Sequence, residues 1–256
     1  MSRINKAFAG GKAFIAFVTA GDPNINITEQ LILAIENAGA DLIEIGIPFS
    51  DPVAEGIVIQ KADERALASG TTTDQIFDMV KRVRTKTDIP LALMTYFNPV
   101  YVYGIEKFVK CSADCGVDAI IVPDLPFEEK NELQPICKKN NIDLISLIAP
   151  TSNERITKIA SEAEGFLYCV SSLGVTGVRS EFSSDIKEMV SLVKSVKDIP
   201  CAVGFGISAP EHAKAMVQFA DGVIVGSAIV KIIEQYSENC IEPVSSFVKQ
   251  MKSAII

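Results

Sequence analysis

The chain has 256 residues, 48% of them apolar, no Trp and a formal net charge of −8. That length is typical of one α/β barrel, and the apolar share is enough for a sizeable core. The acidic balance argues against nucleic acid as a routine partner, and no apolar run reaches the ~18–20 residues of a membrane span.

The apolar stretch from Ala13 to Ala20 ends in Gly21-Asp22-Pro23, so it reads as a strand and not as a secretory signal. The six cysteines (Cys111, Cys115, Cys137, Cys169, Cys201, Cys240) lie far apart, as expected of reduced, mostly buried thiols in a cytoplasmic protein. No metal cluster, P-loop or GxGxxG is visible. Strand candidates follow in order: Ala13–Thr19, Asp41–Ile47, Pro90–Tyr96, Ala119–Pro123, Asp143–Ala149, Phe166–Ser171, Cys201–Ile207 and Gly222–Gly226. They are short and rich in Ile, Val, Leu and Phe, as buried parallel strands should be. Amphipathic stretches separate them: Glu29–Ala38, Asp74–Thr85, Glu106–Cys115, Glu128–Asn140, Glu154–Glu164, Ser184–Val196 and Glu211–Phe219. Ile229–Tyr236 and Val244–Ser253 close the chain as helices.

A weak repeat recurs where helix passes into strand, at Ala38-Gly39-Ala40-Asp41, Cys115-Gly116-Val117-Asp118 and Phe219-Ala220-Asp221. Repeated βα units without a composition break predict one α/β domain over residues 1–256, a (β/α)8 barrel of the TIM type with extra helices. A doubly wound open sheet is the alternative.

Barrel chemistry sits at the C-terminal strand ends. Glu44 lies in the middle of the apolar run Asp41–Phe49, and the period of two puts it on one face with Leu42 and Gly46, opposite Ile43, Ile45 and Ile47. An acid among apolar residues with no adjacent Lys or Arg is expected to have a raised pKa, suited to acid–base work; a satisfied strand glutamate is the bland reading. Glu55, after Asp51-Pro52, is a second acid that solvent would equally explain. Gly206, Gly226 and Ser227, with Gly174–Gly177, form glycine turns that suit a phosphate at helix N-termini, or simply make tight turns. His212 reads as a surface residue, and Lys231 stands too far past the last strand for a Schiff base.

The segments Phe17–Pro23, Ile43–Pro52, Gly174–Gly177, Gly204–Ser208 and Gly226–Lys231 together resemble the tryptophan synthase α-subunit family over the whole chain. The Pro48-Phe49-Ser50-Asp51-Pro52 loop is the most specific of these segments. The resemblance implies a barrel lyase that cleaves indole-3-glycerol phosphate to indole and glyceraldehyde 3-phosphate. It has no cofactor of its own and passes indole to a pyridoxal-phosphate (PLP) β subunit in an αββα complex. It implies Glu44 as general acid–base residue and Glu55 as the acid that meets the indole N–H. Gly177, Gly206, Gly226 and Ser227 would hold phosphate, and Phe17, Met94, Tyr96, Tyr168 and Phe205 would line the indole pocket. Thr176 would lie on a mobile loop, and Pro48 and Asp51 would contact the partner. The family pattern is Ala-Asp-Gly-Pro where this chain has Ala54-Glu55-Gly56-Ile57, one methylene longer at the acid. A weakly active allosteric partner of the β subunit, or a stand-alone indole-releasing lyase, are the alternatives this departure leaves open.

Overall fold

The computed structural model describes residues 3–170, 179–204 and 206–256, with the backbone alone for 179–184. Eight parallel strands are β1 (Ala13–Thr19), β2 (Leu42–Gly46), β3 (Leu91–Met94), β4 (Ala119–Ile121), β5 (Asp143–Ile148), β6 (Leu167–Cys169), β7 (Cys201–Val203) and β8 (Gly222–Val225). Each pairs with its chain neighbour and β8 pairs with β1, so the sheet closes on itself. Closure leaves no edge, which rules out the open-sheet alternative. Every expected strand is present, most of them shorter at the C-terminal end, where the backbone turns into the βα loops.

The helices are α1 (Arg3–Ala7), α2 (Ile25–Asn37), α3 (Ile57–Ala68), α4 (Thr73–Arg84), α5 (Phe97–Tyr103), α6 (Ile105–Cys115), α7 (Gln134–Lys139), α8 (Asn153–Glu162), α9 (Arg179–Val196), α10 (Pro210–Met216), α11 (Ser227–Tyr236) and α12 (Ile241–Ser253). Of these, α1, α3 and α5 have no counterpart among the sequence expectations. The stretch Glu128–Asn140, expected as one helix, is instead a 3-10 turn (Phe127–Glu132) followed by α7. Leu133 separates them, and Pro135, which suits only a helix start, fixes where α7 begins.

Alternation in the strands builds two cores. Outward Ile43, Ile45 and Ile47 pack with Leu31 and Ile35 of α2, while inward Leu42 joins Ile15, Ala92 and Ala202 in the barrel. The internal repeat has a structural task at the barrel's N-terminal end. Asp41 accepts the Phe14 N–H (2.6 Å), Asp118 the Leu91 N–H (2.9 Å) and Asp221 the Cys201 N–H (2.8 Å). Each carboxylate is also met by a base, Lys252, Arg84 and Lys194 respectively. An N–H in the first two residues of a strand is thereby satisfied and a helix tied to the sheet.

Candidate active site

Glu44 points into the barrel, with Phe17 and Ala92 beside it in register. It is fully buried, and neither carboxylate oxygen has a hydrogen-bond partner among the described residues. Burial alone lifts its pKa from 4.5 to about 8, so the carboxyl holds its proton at neutral pH. Two glycines make room around it. A Cβ on Gly46 would stand 2.6 Å from the Phe17 ring, and one on Gly204 would stand 2.5 Å from the Tyr168 ring. Without side chains there, both aromatic rings lie close against the strand backbone.

Above this layer opens a cavity of about 500 Å3, lined by Met94, Tyr168, Gly204, Leu147, Ala54 and Phe127 among others. Glu44 and Phe17 are not in its wall; they lie beneath it. Tyr168 links the two levels, since burial first, and then the charges of Glu44 and Glu55, push its hydroxyl pKa well above the usual value. Tyr96 is buried and its hydroxyl accepts the Ala54 N–H at 3.0 Å. That hydroxyl also meets Glu55, whose pKa is raised by burial against the opposing effects of Asp63 and Tyr96. Glu55 is half-buried.

Asp63 is the residue that the sequence reading passed over. It lies on α3, is 4% exposed, and faces Glu55. Its signal was the stripe Ile59, Ala62 and Ala66, all buried, which places Asp63 on the inward flank of the helix. Two residues on, Arg65 grips buried Asp22 through two hydrogen bonds of 2.8 Å each. That clamp holds α3 against the β1–α2 loop.

Of the phosphate candidates, Gly226 and Ser227 open α11, and Gly206 has φ +66 with no atom near a would-be Cβ. Ser227 and Gly206 are exposed at the mouth, outside the cavity wall. Gly177, Thr176 and Phe205 lie outside the described residues. Pro48 is buried, whereas Asp51 is exposed and accepts a hydrogen bond from Ser50. Lys231 is exposed on α11. Around the same end stand apolar side chains in water: Val53, Ile57, Tyr101 and Val102 are 63–80% exposed. Among the described residues no group of three or more His, Cys, Asp or Glu is placed to hold a metal.

A closed (β/α)8 barrel with a protonated acid beneath a mouth pocket defines a barrel protein equipped for proton transfer. The family model described as "Tryptophan synthase alpha chain" matches residues 4–256. A tryptophan synthase alpha chain of Halalkalibacterium halodurans is 50% identical over 245 residues, covering 95% of this chain and 92% of the relative. The crystal structure of the subunit alpha from Legionella pneumophila superposes with TM-score 0.91 at 37% identity, covering 100% of this chain and 98% of that one. A structure from Pyrococcus furiosus, described as showing mutual activation of the tryptophan synthase α2β2 complex, gives 0.88 at 37% identity, covering 95% and 99%. The chain belongs to the tryptophan synthase alpha chain family.

Proposed function

We propose that this chain, acting as one domain, cleaves indole-3-glycerol phosphate to indole and glyceraldehyde 3-phosphate by a retro-aldol step. The observation that carries the reading is Glu44: buried, without a partner among the described residues, and protonated at neutral pH. It gives its proton to C3 of the indole ring and takes one from the hydroxyl on the adjoining glycerol carbon. The carbon–carbon bond then breaks, its electron pair restores the aromatic ring, and the hydroxyl carbon becomes the aldehyde. Glu44 ends the cycle as it began, and no cofactor of this chain is called on. Glu55 meets the indole N–H and offsets the positive charge that develops on the protonated ring. Phe17, Met94, Tyr96, Tyr168 and Phe205 hold the ring, and Gly177, Gly206, Gly226 and Ser227 take the phosphate. Thr176 belongs to the loop that closes over substrate.

The partner in this reading is a PLP-containing β subunit in an αββα assembly in the cytoplasm. The collar of Val53, Ile57, Tyr101 and Val102 beside Asp51 supports it, because exposed apolar side chains gathered at one end suit a protein interface. No described helix is long and apolar enough to cross a membrane. Single-turnover cleavage of indole-3-glycerol phosphate, with and without β subunit, tests the proposal. Cleavage that Glu44→Gln removes is expected; no cleavage in either condition would overturn it. Glu55, one methylene longer than the family's aspartate, favours a second reading, in which the chain is a weakly active activator of its partner. Slow cleavage together with full stimulation of the partner would support that one.

A further inference from the structure

We propose that the outer half of the mouth cavity, between β5, the Phe127–Glu132 turn and α8, is a second binding site, for a small uncharged aromatic molecule with one N–H or O–H donor. Indole is of that class. Naming it as the occupant rests on the proposed function; the site itself does not.

The cavity straddles β5. Leu147 and Tyr168 line it from inside the barrel, where they join the inner core. Leu144, Ile148, Ile156 and Ile159 line it from outside and belong to the outer clusters. Alternation along β5 puts Ser146 on the outer side, between Leu144 and Ile148. The matching face of β2 carries Ile43, Ile45 and Ile47, at most 6% exposed, whereas Ser146 is small and only half-buried. The cover is thin as well. Between β4 and β5 the chain has only the 3-10 turn and the six-residue α7, because Leu133 and Pro135 interrupt what the sequence predicts as one helix. A short side chain on the strand and a broken helix above it together leave the gap.

Size and charge decide what fits. An apolar cavity of ~150 Å3 holds one benzene ring, so an indole needs roughly 200–250 Å3. The whole cavity has about 500 Å3, and Gly206, Gly226 and Ser227 do not line it. One ring above Glu44 therefore leaves room for a second of equal size. Two cations stand at the outer rim, and both are neutralised. Lys130 pairs with Glu162, and Arg155 donates to Glu128 at 2.6 and 3.0 Å. Neither is left to hold an anion, so the site suits an uncharged molecule. The Ser146 hydroxyl can accept one hydrogen bond, and Phe127, with the Lys130 ammonium 4.2 Å from its ring centre, adds an aromatic wall.

Methyl NMR of the whole chain, titrated with indole, tests the site without activity. Met94 reports the inner half, and Ile148 and Ile159 report the outer half. Both sets of methyl signals are expected to shift, with separate saturation curves. Ser146→Leu fills the outer half and should abolish the Ile148 and Ile159 shifts while Met94 still responds. Ile156→Phe fills it from the opposite wall and should do the same. Both filling variants should unfold in urea no earlier than the wild type, since they add contacts to a cavity. Ser146→Ala keeps the room but loses the acceptor, and should weaken outer binding ~3- to 10-fold. Outer methyls that stay still up to the solubility of indole, or that shift as before in both filling variants, would overturn the site. So would one shared saturation curve, which means a single molecule spanning both halves, or a loss of stability in both filling variants. Unchanged affinity in Ser146→Ala would overturn the donor requirement. Outer shifts in a chain that cleaves no indole-3-glycerol phosphate would sink the lyase reading and leave the site standing.

Discussion

Glu44 shares the inward face of β2 with Leu42 and Gly46 and lies between Phe17 and Ala92, where no donor among the described residues reaches it. Its proton has two consequences of opposite value. For chemistry it supplies an acid at neutral pH, so Glu44→Gln should lower single-turnover cleavage by ~10²- to 10⁴-fold. For stability it is a liability. The folded pKa of about 8 lies above the unfolded 4.5, so stability is fully present below about 4.5 and declines as pH rises toward 8. Glu44→Gln lacks this loss: in urea titrations it should match wild type near pH 4.5 and exceed it by roughly 2–4 kcal/mol at pH 8. Gly46→Ala should destabilise by ~1–3 kcal/mol, because its methyl would overlap the Phe17 ring. The sequence exposed Glu44 because a charge interrupting an apolar run is a local conflict that needs a cause. Asp63 was hidden because an acid among Lys61, Glu64 and Arg65 looks like an ordinary solvated helix face. Only the placement of α3 over the mouth turns it inward.

Elements differed in how much of themselves the sequence displayed. The helix α4 carries buried Ile76, Phe77, Val80 and Val83 at helical spacing and opens on a Thr72–Gln75 capping box, so its pattern stands out. The α3 segment begins Ile57-Val58-Ile59, a β-branched run suited to a strand, and is helical because tertiary packing on Phe17 and Val230 decides. The α5 segment packs an asparagine, a proline and five aromatic or β-branched residues into a seven-residue helix after β3, where local preference says little. The aspartates that join helix to strand were visible as a repeat, but their task was not, since it depends on which strand lies next door. Asp118 serves the Leu91 N–H and pairs with Arg84 and Arg3 at 10% exposure. Asp118→Ala should therefore cost ~2–4 kcal/mol by urea unfolding, leaving a half-buried guanidinium without its anion. Asp221→Ala should cost less, because its side chain is 32% exposed and water replaces part of the loss.

For the whole molecule, apolar side chains exposed at the mouth end mark where another protein can sit. Val53→Asp and Tyr101→Asp should each weaken stimulation by the β subunit about tenfold, read as the partner concentration giving half-maximal cleavage, with folding stability within ~0.5 kcal/mol. Unaltered partner dependence in both would remove the collar from the interface. The barrel fold itself was legible because eight short apolar strands alternated with amphipathic stretches; the mouth was less so, being built from loops whose side chains come from distant parts of the chain. The closed strand order has a kinetic meaning as well. Seven of the eight strand pairings join neighbours along the chain; only β1 with β8 joins its two ends. Across that last joint the C-terminal helix α12 packs on α2, and Lys252 reaches the Lys12 carbonyl and Asp41. Loop-closure entropy makes this the slowest contact to form. Pulse-labelled hydrogen exchange during refolding should find the β1 and β8 amides protected after those of β2 to β4. The barrel would then be an arc for most of its folding time, and Lys252 the catch that turns it into a ring.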